Sequence, residues 1–265
     1  MTTGRIDVGE IRMAYELTGP EGAPVACLNH CFGSDLHYWD RHLDAFEGLR
    51  VLRYDTRGHA RSDAPPGPYR LEMLAADVAG LQDALGIDRV HFCGVSLGGQ
   101  IAQTFALAYP ERIESLILVN TTCEYGDEQV ALWRERARQG VAEGIEPLHA
   151  TLMARWFTDE AVARQPPGYR YMAEAIRRFP PQSFAAAVEA MCHLHTTPRL
   201  SRIAAPTLVI GTPEDPGAPR EVTEKMARLI PNAELEWLTP ARHLASLEHP
   251  ERFNALVRTF LAKQV

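Results

Sequence analysis

The stretch "HFCGVSLGGQ", residues 91–100, sets a single serine among glycines directly after an apolar run. The glycines could serve only a tight turn from a strand into a helix, with close packing between the two. The sharper interpretation is that Ser96 occupies a strained turn. Such a turn needs neighbours without bulk, so that the hydroxyl projects into a site while backbone N–H groups stay accessible. The rest of the chain decides between these interpretations.

The sequence on either side of Ser96 alternates between strand and helix patterns. Helical periodicity appears in "LEMLAADVAGLQDALG" and "GGQIAQTFALAYP". Short apolar runs that are typical of buried strands are "VACLN", "LRVLRYD", "RVHFCGV" and "IESLILVN". This alternation predicts an α/β fold, a mostly parallel sheet flanked by helices on both faces. The N-terminal "GRIDVGEIRMAYELTG" predicts an antiparallel hairpin that turns near Gly9.

The strand pattern stops at about Glu124 and is absent until about Arg199. Between these two residues, amphipathic helical sequence replaces it. The strand pattern resumes with "APTLVIG" and "AELEWL". One helical stretch lies between these two runs, and another follows the second. We therefore predict a core in two segments, residues 1–123 and 200–265, interrupted by a helical cap of residues 124–199.

Composition narrows the class of protein. A chain of 265 residues that is 46% hydrophobic can bury a large core. The formal charge of −7 and the absence of a long Lys/Arg run argue against nucleic acid or an anionic membrane as the main partner. A small anionic substrate stays possible, because it needs only one or two local arginines.

The cysteines and the N-terminus bear on the cellular compartment. Five cysteines without C-x-x-C spacing, mostly within apolar runs, predict buried free thiols rather than a disulfide framework. The N-terminus has no apolar core of the kind found in secretory signal peptides, and no run of about 18 apolar residues predicts a membrane span. We expect a cytoplasmic protein, and the sequence leaves its oligomeric state open.

Three polar residues follow predicted strands, where ligands gather in sheets of this kind. They are Ser96, Asp215 in "GTPEDPG" and His243 in "TPARHLASLEHP", with Glu214 and His249 as nearby competitors for the last two. A serine hydroxyl is a poor nucleophile at neutral pH, so an imidazole must take its proton and a carboxylate must orient that imidazole. The three residues therefore predict a catalytic triad, whose chemistry needs no cofactor or metal.

The sequence resembles the α/β-hydrolase superfamily along essentially the whole chain, and within it the 3-oxoadipate enol-lactonase group. The resemblance is carried by "LNHCFGSDLHYWD", "VLRYDTRGHARSDAPPGPY", "DALGIDRVHFCGVSLGG" and "PERIESLILVNTT". It implies an α/β-hydrolase fold and hydrolysis of a small carboxylic ester or lactone through an acyl-serine intermediate. The specific substrate that it implies is 3-oxoadipate enol-lactone, in the breakdown of aromatic compounds.

The resemblance also assigns roles. It makes Ser96 the nucleophile, His243 the base and then the acid, and Asp215 the orienting carboxylate. The backbone N–H groups of Phe32 and Leu97 are then expected to form the oxyanion hole.

In the cap-like stretch "ALWRERARQGV", the resemblance favours Trp133 as a pocket-lining residue, and we expect Arg134 beside it to bind a substrate carboxylate. The chain departs from the family's usual residues at Cys31, Ala60 and Arg242, around the predicted pocket, so the exact substrate is left open.

Other functions fit the same residues. A general esterase or perhydrolase, or a carbon–carbon bond hydrolase, would use the same triad, and a ligand receptor without catalysis could use the same scaffold. His193 and His195 resemble a metal-binding pair, but no third ligand has a recognisable spacing, and we predict no metal site.

Overall fold

A computed structural model describes residues 1–264, so Val265, the last residue of the second predicted core segment, lies outside the described residues. Eight strands form one sheet in the order β1-β2-β4-β3-β5-β6-β7-β8. The strands are β1 (Thr2–Asp7), β2 (Arg12–Thr18), β3 (Val25–Asn29), β4 (Arg50–Tyr54), β5 (Val90–Val95), β6 (Ile113–Val119), β7 (Thr207–Gly211) and β8 (Ala233–Trp237).

The sheet is mostly parallel, as predicted. Only the β1–β2 and β2–β4 pairs are antiparallel, and β1 and β2 form the expected hairpin, with Asp7 opposite Arg12. All other pairs are parallel. The carboxyl ends of β5, β6, β7 and β8 therefore meet along one edge of the sheet, where a ligand site is expected.

Ten α-helices accompany the strands in the described part of the chain. They are α1 (Leu71–Leu85), α2 (Leu97–Ala108), α3 (Asp127–Glu143), α4 (Glu146–Trp156), α5 (Asp159–Arg164), α6 (Pro167–Arg177), α7 (Pro181–Cys192), α8 (Arg220–Leu229), α9 (Ala245–Glu248) and α10 (Pro250–Leu261). Helix α2 packs against β5 and β6, and α8 packs against β7 and β8. Strands β5 and β7 are buried along their whole length, as expected from their mainly apolar sequences.

Helices α3 to α7 follow one another between β6 and β7 without an intervening strand. We call this segment, Asp127–Cys192, the cap. Helix α3 packs against α7, and α4 packs against α6. The ring centroid of Phe32, in the loop after β3, lies 5.7 Å from that of Trp133 and 4.8 Å from that of Phe184. An aromatic cluster therefore packs the cap against the core.

The structure also bears on the membrane and cysteine predictions. None of the helices within residues 1–264 has both the length and the apolar character that a bilayer crossing requires. All five cysteines are free thiols, and four of them are buried. The prediction of buried free thiols is therefore correct for all but Cys192, which is partly exposed.

Candidate active site

Ser96 occupies the junction between β5 and α2 in a strained backbone conformation, with φ 54° and ψ −114°. A residue with a side chain rarely adopts a positive φ, so neighbouring groups must hold it there. The Ser96 N–H donates to the carbonyl of Val119 over 2.9 Å, and the Ser96 carbonyl accepts a hydrogen bond from the Thr121 hydroxyl over 2.8 Å. These bonds to β6 and the loop after it fix the serine at the edge of the sheet.

The glycines around Ser96 are required by close backbone approach. A Cβ on Gly94 would overlap the backbone of Gly98, and a Cβ on Gly98 would overlap the carbonyl of Asn29 in the neighbouring strand. Any larger residue would push α2 away from the sheet. The geometry therefore favours the sharper interpretation of the stretch, a tight turn that presents a hydroxyl.

Ser96, His243 and Asp215 form one chain of hydrogen bonds. The Nε2 atom of His243 lies 2.7 Å from the Oγ of Ser96. The Nδ1 atom of the same ring lies 2.8 and 2.9 Å from the two carboxylate oxygens of Asp215. With Nδ1 protonated, Nε2 is a free acceptor that faces the serine proton, which is the arrangement that activates a serine nucleophile.

Asp215 is 2% exposed and is held as an anion by several donors. Burial alone would raise its pKa, but the charge and hydrogen bond of His243, together with the N–H of Gly217 and the amide of Asn120, keep the pKa below its ordinary value. The Gly217 N–H lies 2.6 Å and the Asn120 amide 3.1 Å from the carboxylate. An ionised Asp215 can therefore orient His243 and stabilise its positive charge.

The competing residues point elsewhere. Glu214 accepts a hydrogen bond from the Thr212 hydroxyl over 2.9 Å and makes no bond to His243. The ring of His249 lies against the carbonyl of Pro240. His193 bonds to Glu189, and within residues 1–264 no cluster of three or more potential metal ligands occurs.

Two backbone N–H groups near Ser96 are free of protein acceptors. Leu97 is the first residue of α2, where an N–H has no partner within its own helix. Neither this N–H nor that of Phe32 donates a backbone hydrogen bond within the described residues. Both residues are buried, and Phe32 lines the same pocket as Ser96. An oxyanion next to the serine is the acceptor that the sequence predicts for the two donors.

Two buried histidines clamp the loop that carries Phe32. His30 bonds to the Cys31 carbonyl through Nδ1 over 2.8 Å and accepts the Thr56 N–H through Nε2 over 3.0 Å. His59 accepts the Gly33 N–H over 3.2 Å. Burial lowers the pKa of His30, and burial followed by the nearby His30 lowers the pKa of His59 to about 3, so both rings stay neutral acceptors.

The pocket beside Ser96 is narrow. Its free volume is about 10 Å³, which is about the room that one water molecule needs. The cap contributes Trp133, Arg155, Trp156 and Met191 to its walls, and the loop after β6 contributes Tyr125. A substrate must therefore displace cap side chains as it enters.

The structure places Arg134 away from the pocket beside Ser96. This side chain lies outside the pocket lining, is about half exposed and forms a bidentate ion pair with Glu189 at 2.9 and 3.2 Å. The arginine that lines the pocket is Arg155 on α4, which sequence reasoning did not single out. Trp133 lines the pocket.

The three unusual residues have separate structural consequences. Cys31 lines the pocket, but burial raises the pKa of its thiol to about 12, so it stays protonated. Ala60 adopts φ 42°, a conformation that glycine takes more easily. Arg242 points away from Ser96 and donates to the carbonyls of Ala154 and Phe157, which ties the loop of His243 to the end of α4.

Comparisons with known proteins identify the family of the fold. The family model of the alpha/beta hydrolase fold matches residues 24–250. The chain is 31% identical to 3-oxoadipate enol-lactonase 2 of Acinetobacter baylyi, over 96% of this chain and 94% of that protein.

Solved structures are similar over nearly the full length. The enol-lactonase from Burkholderia xenovorans LB400 has a TM-score of 0.93 and 33% identity, and the match covers 98% of this chain and 100% of that one. A thermophilic esterase from Thermogutta terrifontis, solved with malate bound, has a TM-score of 0.90 and 30% identity, with 99% of each chain covered.

Proposed function

The chain belongs to the α/β-hydrolase family, and from that premise we propose that it is a serine hydrolase of small carboxylic esters or lactones, with 3-oxoadipate enol-lactone as its preferred substrate. The observation that carries the proposal is the hydrogen-bonded chain from Ser96 through His243 to Asp215. The N–H groups of Phe32 and Leu97 complete the proposed machinery.

The proposed reaction has two halves. His243 takes the proton of Ser96 as the Oγ attacks the carbonyl carbon, and the two N–H groups stabilise the oxyanion that forms. The C–O bond then breaks, and His243 returns the proton to the leaving oxygen. In the second half, His243 deprotonates a water molecule that attacks the acyl-serine, and the acid is released as the serine regains its proton.

The narrow pocket supports a small substrate. Trp133 and Trp156 of the cap line it together with Ser96, and its free volume is about 10 Å³. Enclosure excludes water and holds the carbonyl near the nucleophile, but it also limits the length of the acyl group. Short lactones and esters are therefore the proposed substrates, and long-chain lipids are not.

The charges of the cap support a carboxylate on the substrate. Three arginines of the protein are buried, and two of them, Arg53 and Arg57, are paired with carboxylates. Arg136 is 8% exposed, packs 5.0 Å from the ring centroid of Trp133 and has no carboxylate partner within residues 1–264. Its Nη1 atom has no hydrogen bond at all.

A buried guanidinium without an anion is costly. Arg155, which lines the pocket, adds a second positive charge close enough to lower the pKa of Arg136, after the larger effect of burial. A substrate carboxylate beside Arg155 would offset part of this positive charge, and the lactone named for the relatives carries its acid function as a carboxylate at neutral pH.

The test is a turnover screen at pH 8 of short lactones and esters, some with a carboxylate and some without, together with long-chain esters. We expect rapid cleavage of short substrates, preference for the carboxylate-bearing lactone and no detectable turnover by Ser96→Ala, which should fold normally. A protein that binds the small ligands without cleaving any would be a receptor. Efficient cleavage of long chains would contradict the narrow pocket.

A further inference from the structure

Tyr125 lines the same pocket as Ser96 and Arg155. Its oxygen accepts a hydrogen bond from the Nε2 of Gln100 over 2.8 Å. An amide nitrogen can only donate, so the tyrosine oxygen is the acceptor in this pair and its own proton is left for another partner. Within residues 1–264, no group accepts that proton.

Gln100 is placed so that it can fix the direction of this hydroxyl. It lies on α2, one turn after Ser96, and its backbone N–H donates to the Ser96 carbonyl over 3.0 Å. Its side chain is 1% exposed, and its Oε1 atom has no partner. Burying this oxygen without a partner costs free energy. An apolar side chain would fill the same space without that cost, so the amide of Gln100 calls for an explanation.

Hydrogen bonds hold the backbone just before Tyr125. The Gln103 side chain on α2 donates to the Thr122 carbonyl over 3.0 Å. The Thr196 N–H, after the cap, donates to the Cys123 carbonyl over 3.1 Å. The hydroxyl is thus preorganised relative to the nucleophile, as a group that selects substrates should be.

The hydroxyl is also a donor rather than an anion. Tyr125 is partly buried, and burial raises its pKa above the ordinary value. It therefore keeps its proton throughout the pH range in which a serine hydrolase works.

We infer that Tyr125 is a specificity-determining residue that donates its proton to a carboxylate oxygen of the substrate, beside Arg155, and that Gln100 is the positioning residue that aims the hydroxyl. The substrate in this inference rests on the proposed hydrolase function, but the binding step does not require turnover. A neutral donor next to a guanidinium distinguishes a carboxylate from an apolar group of similar size by its hydrogen bonds as well as by charge.

Binding of a small dicarboxylate to the inactive protein tests the donor directly. In the Ser96→Ala background, calorimetry with L-malate should show binding that Tyr125→Phe weakens tenfold or more, about the worth of a hydrogen bond to a charged group. Tyr109→Phe, at the other end of α2, is the matched control and should leave the affinity unchanged. Equal affinities with and without the Tyr125 hydroxyl would overturn the inference, as would a Ser96→Ala protein that does not bind malate.

A double-mutant cycle tests whether Gln100 acts on malate binding through the Tyr125 hydroxyl. Gln100→Leu should weaken malate binding severalfold in the Ser96→Ala background, because the hydroxyl is free to rotate, and it should add no further loss when Tyr125→Phe is already present. Additive losses would show that Gln100 does not act through Tyr125.

Kinetics give a second readout in the active protein. Tyr125→Phe should raise the KM of a carboxylate-bearing lactone relative to that of a neutral ester, and an unchanged ratio would contradict the role. If wild-type protein cleaved neither substrate, the proposed function would fail while the malate experiment still decided the role of Tyr125.

Discussion

The Oγ of Ser96 and the Nε2 of His243 lie 2.7 Å apart, although 147 positions separate the two residues in the chain. The fold brings them together because β5 and β8 end at the same edge of the parallel sheet. This contact places a base within reach of the Ser96 hydroxyl, and the carboxylate of Asp215 behind the histidine sets its tautomer.

Asp215→Asn should reduce kcat about 10⁴-fold, because an amide at this position favours the wrong imidazole tautomer and cannot stabilise its cation. Glu214→Gln is the matched control, since Glu214 bonds to Thr212 instead of His243. Its activity should stay close to that of the wild type. Steady-state kinetics with one activated ester measure both, and a larger loss in Glu214→Gln would reverse the assignment of the carboxylate.

Arg155→Met should raise the KM of a carboxylate-bearing lactone at least tenfold more than that of a neutral ester, because the variant removes the arginine that lines the pocket. Arg134→Met removes an equal charge from the cap, but from a half-exposed ion pair with Glu189, and should change neither KM. Equal changes in both KM values in Arg155→Met would show that Arg155 does not bind a substrate carboxylate.

Acid should destabilise the protein below about pH 6.5 through its buried histidines. Burial lowers the pKa of His42 from 6.5 to about 4, so between these values the unfolded chain binds a proton that the folded chain does not. The stability that this neutral histidine contributes is fully present above pH 6.5. Between pH 6.5 and about 4, the free energy of unfolding falls by about 1.4 kcal/mol for each pH unit.

Urea unfolding at pH 7 and pH 5 measures the effect. His42→Gln should flatten the dependence of unfolding free energy on pH, whereas His37→Gln, a half-exposed control, should not. The same slope in His42→Gln and the wild type would assign the acid sensitivity to other groups.

Gly98→Ala should destabilise the fold by about 2 kcal/mol or more, since its Cβ would overlap the carbonyl of Asn29. Gly4→Ala places the same methyl group where no atom lies within 4 Å and should change stability by less than about 0.5 kcal/mol. Thermal unfolding compares the two. A Gly98→Ala protein as stable as the wild type would mean that the turn tolerates bulk.

Much of the architecture could be predicted from local patterns. The apolar runs before Ser96 and Asp215 are long enough and bounded clearly enough to identify β5 and β7, and a parallel sheet then brings their ends together. The contacts of the triad are consistent with that topology, because Ser96 directly follows β5, and Asp215 and His243 lie in the loops that follow β7 and β8.

The cap residues of the pocket were harder to predict, and the reason lies in helix geometry. Trp133 faces the pocket, and adjacent helical residues point about 100° apart, so Arg134 faces solvent and pairs with Glu189. Arg136, three positions from Trp133, shares its face and packs on its ring. The i, i+3 spacing was a usable signal, whereas Arg155 on another helix depends on tertiary packing that no local pattern encodes.

Trapping of the acyl-enzyme tests the central claim most directly. Wild-type protein is mixed with a short activated aryl ester, quenched in acid within the first turnovers and analysed by intact-mass and peptide mass spectrometry. We expect one added acyl group, located on Ser96, and none on Ser96→Ala under the same conditions. Rapid release of the phenol by wild-type protein with no acyl group on Ser96, or with the group on another residue such as Cys31, would contradict the account.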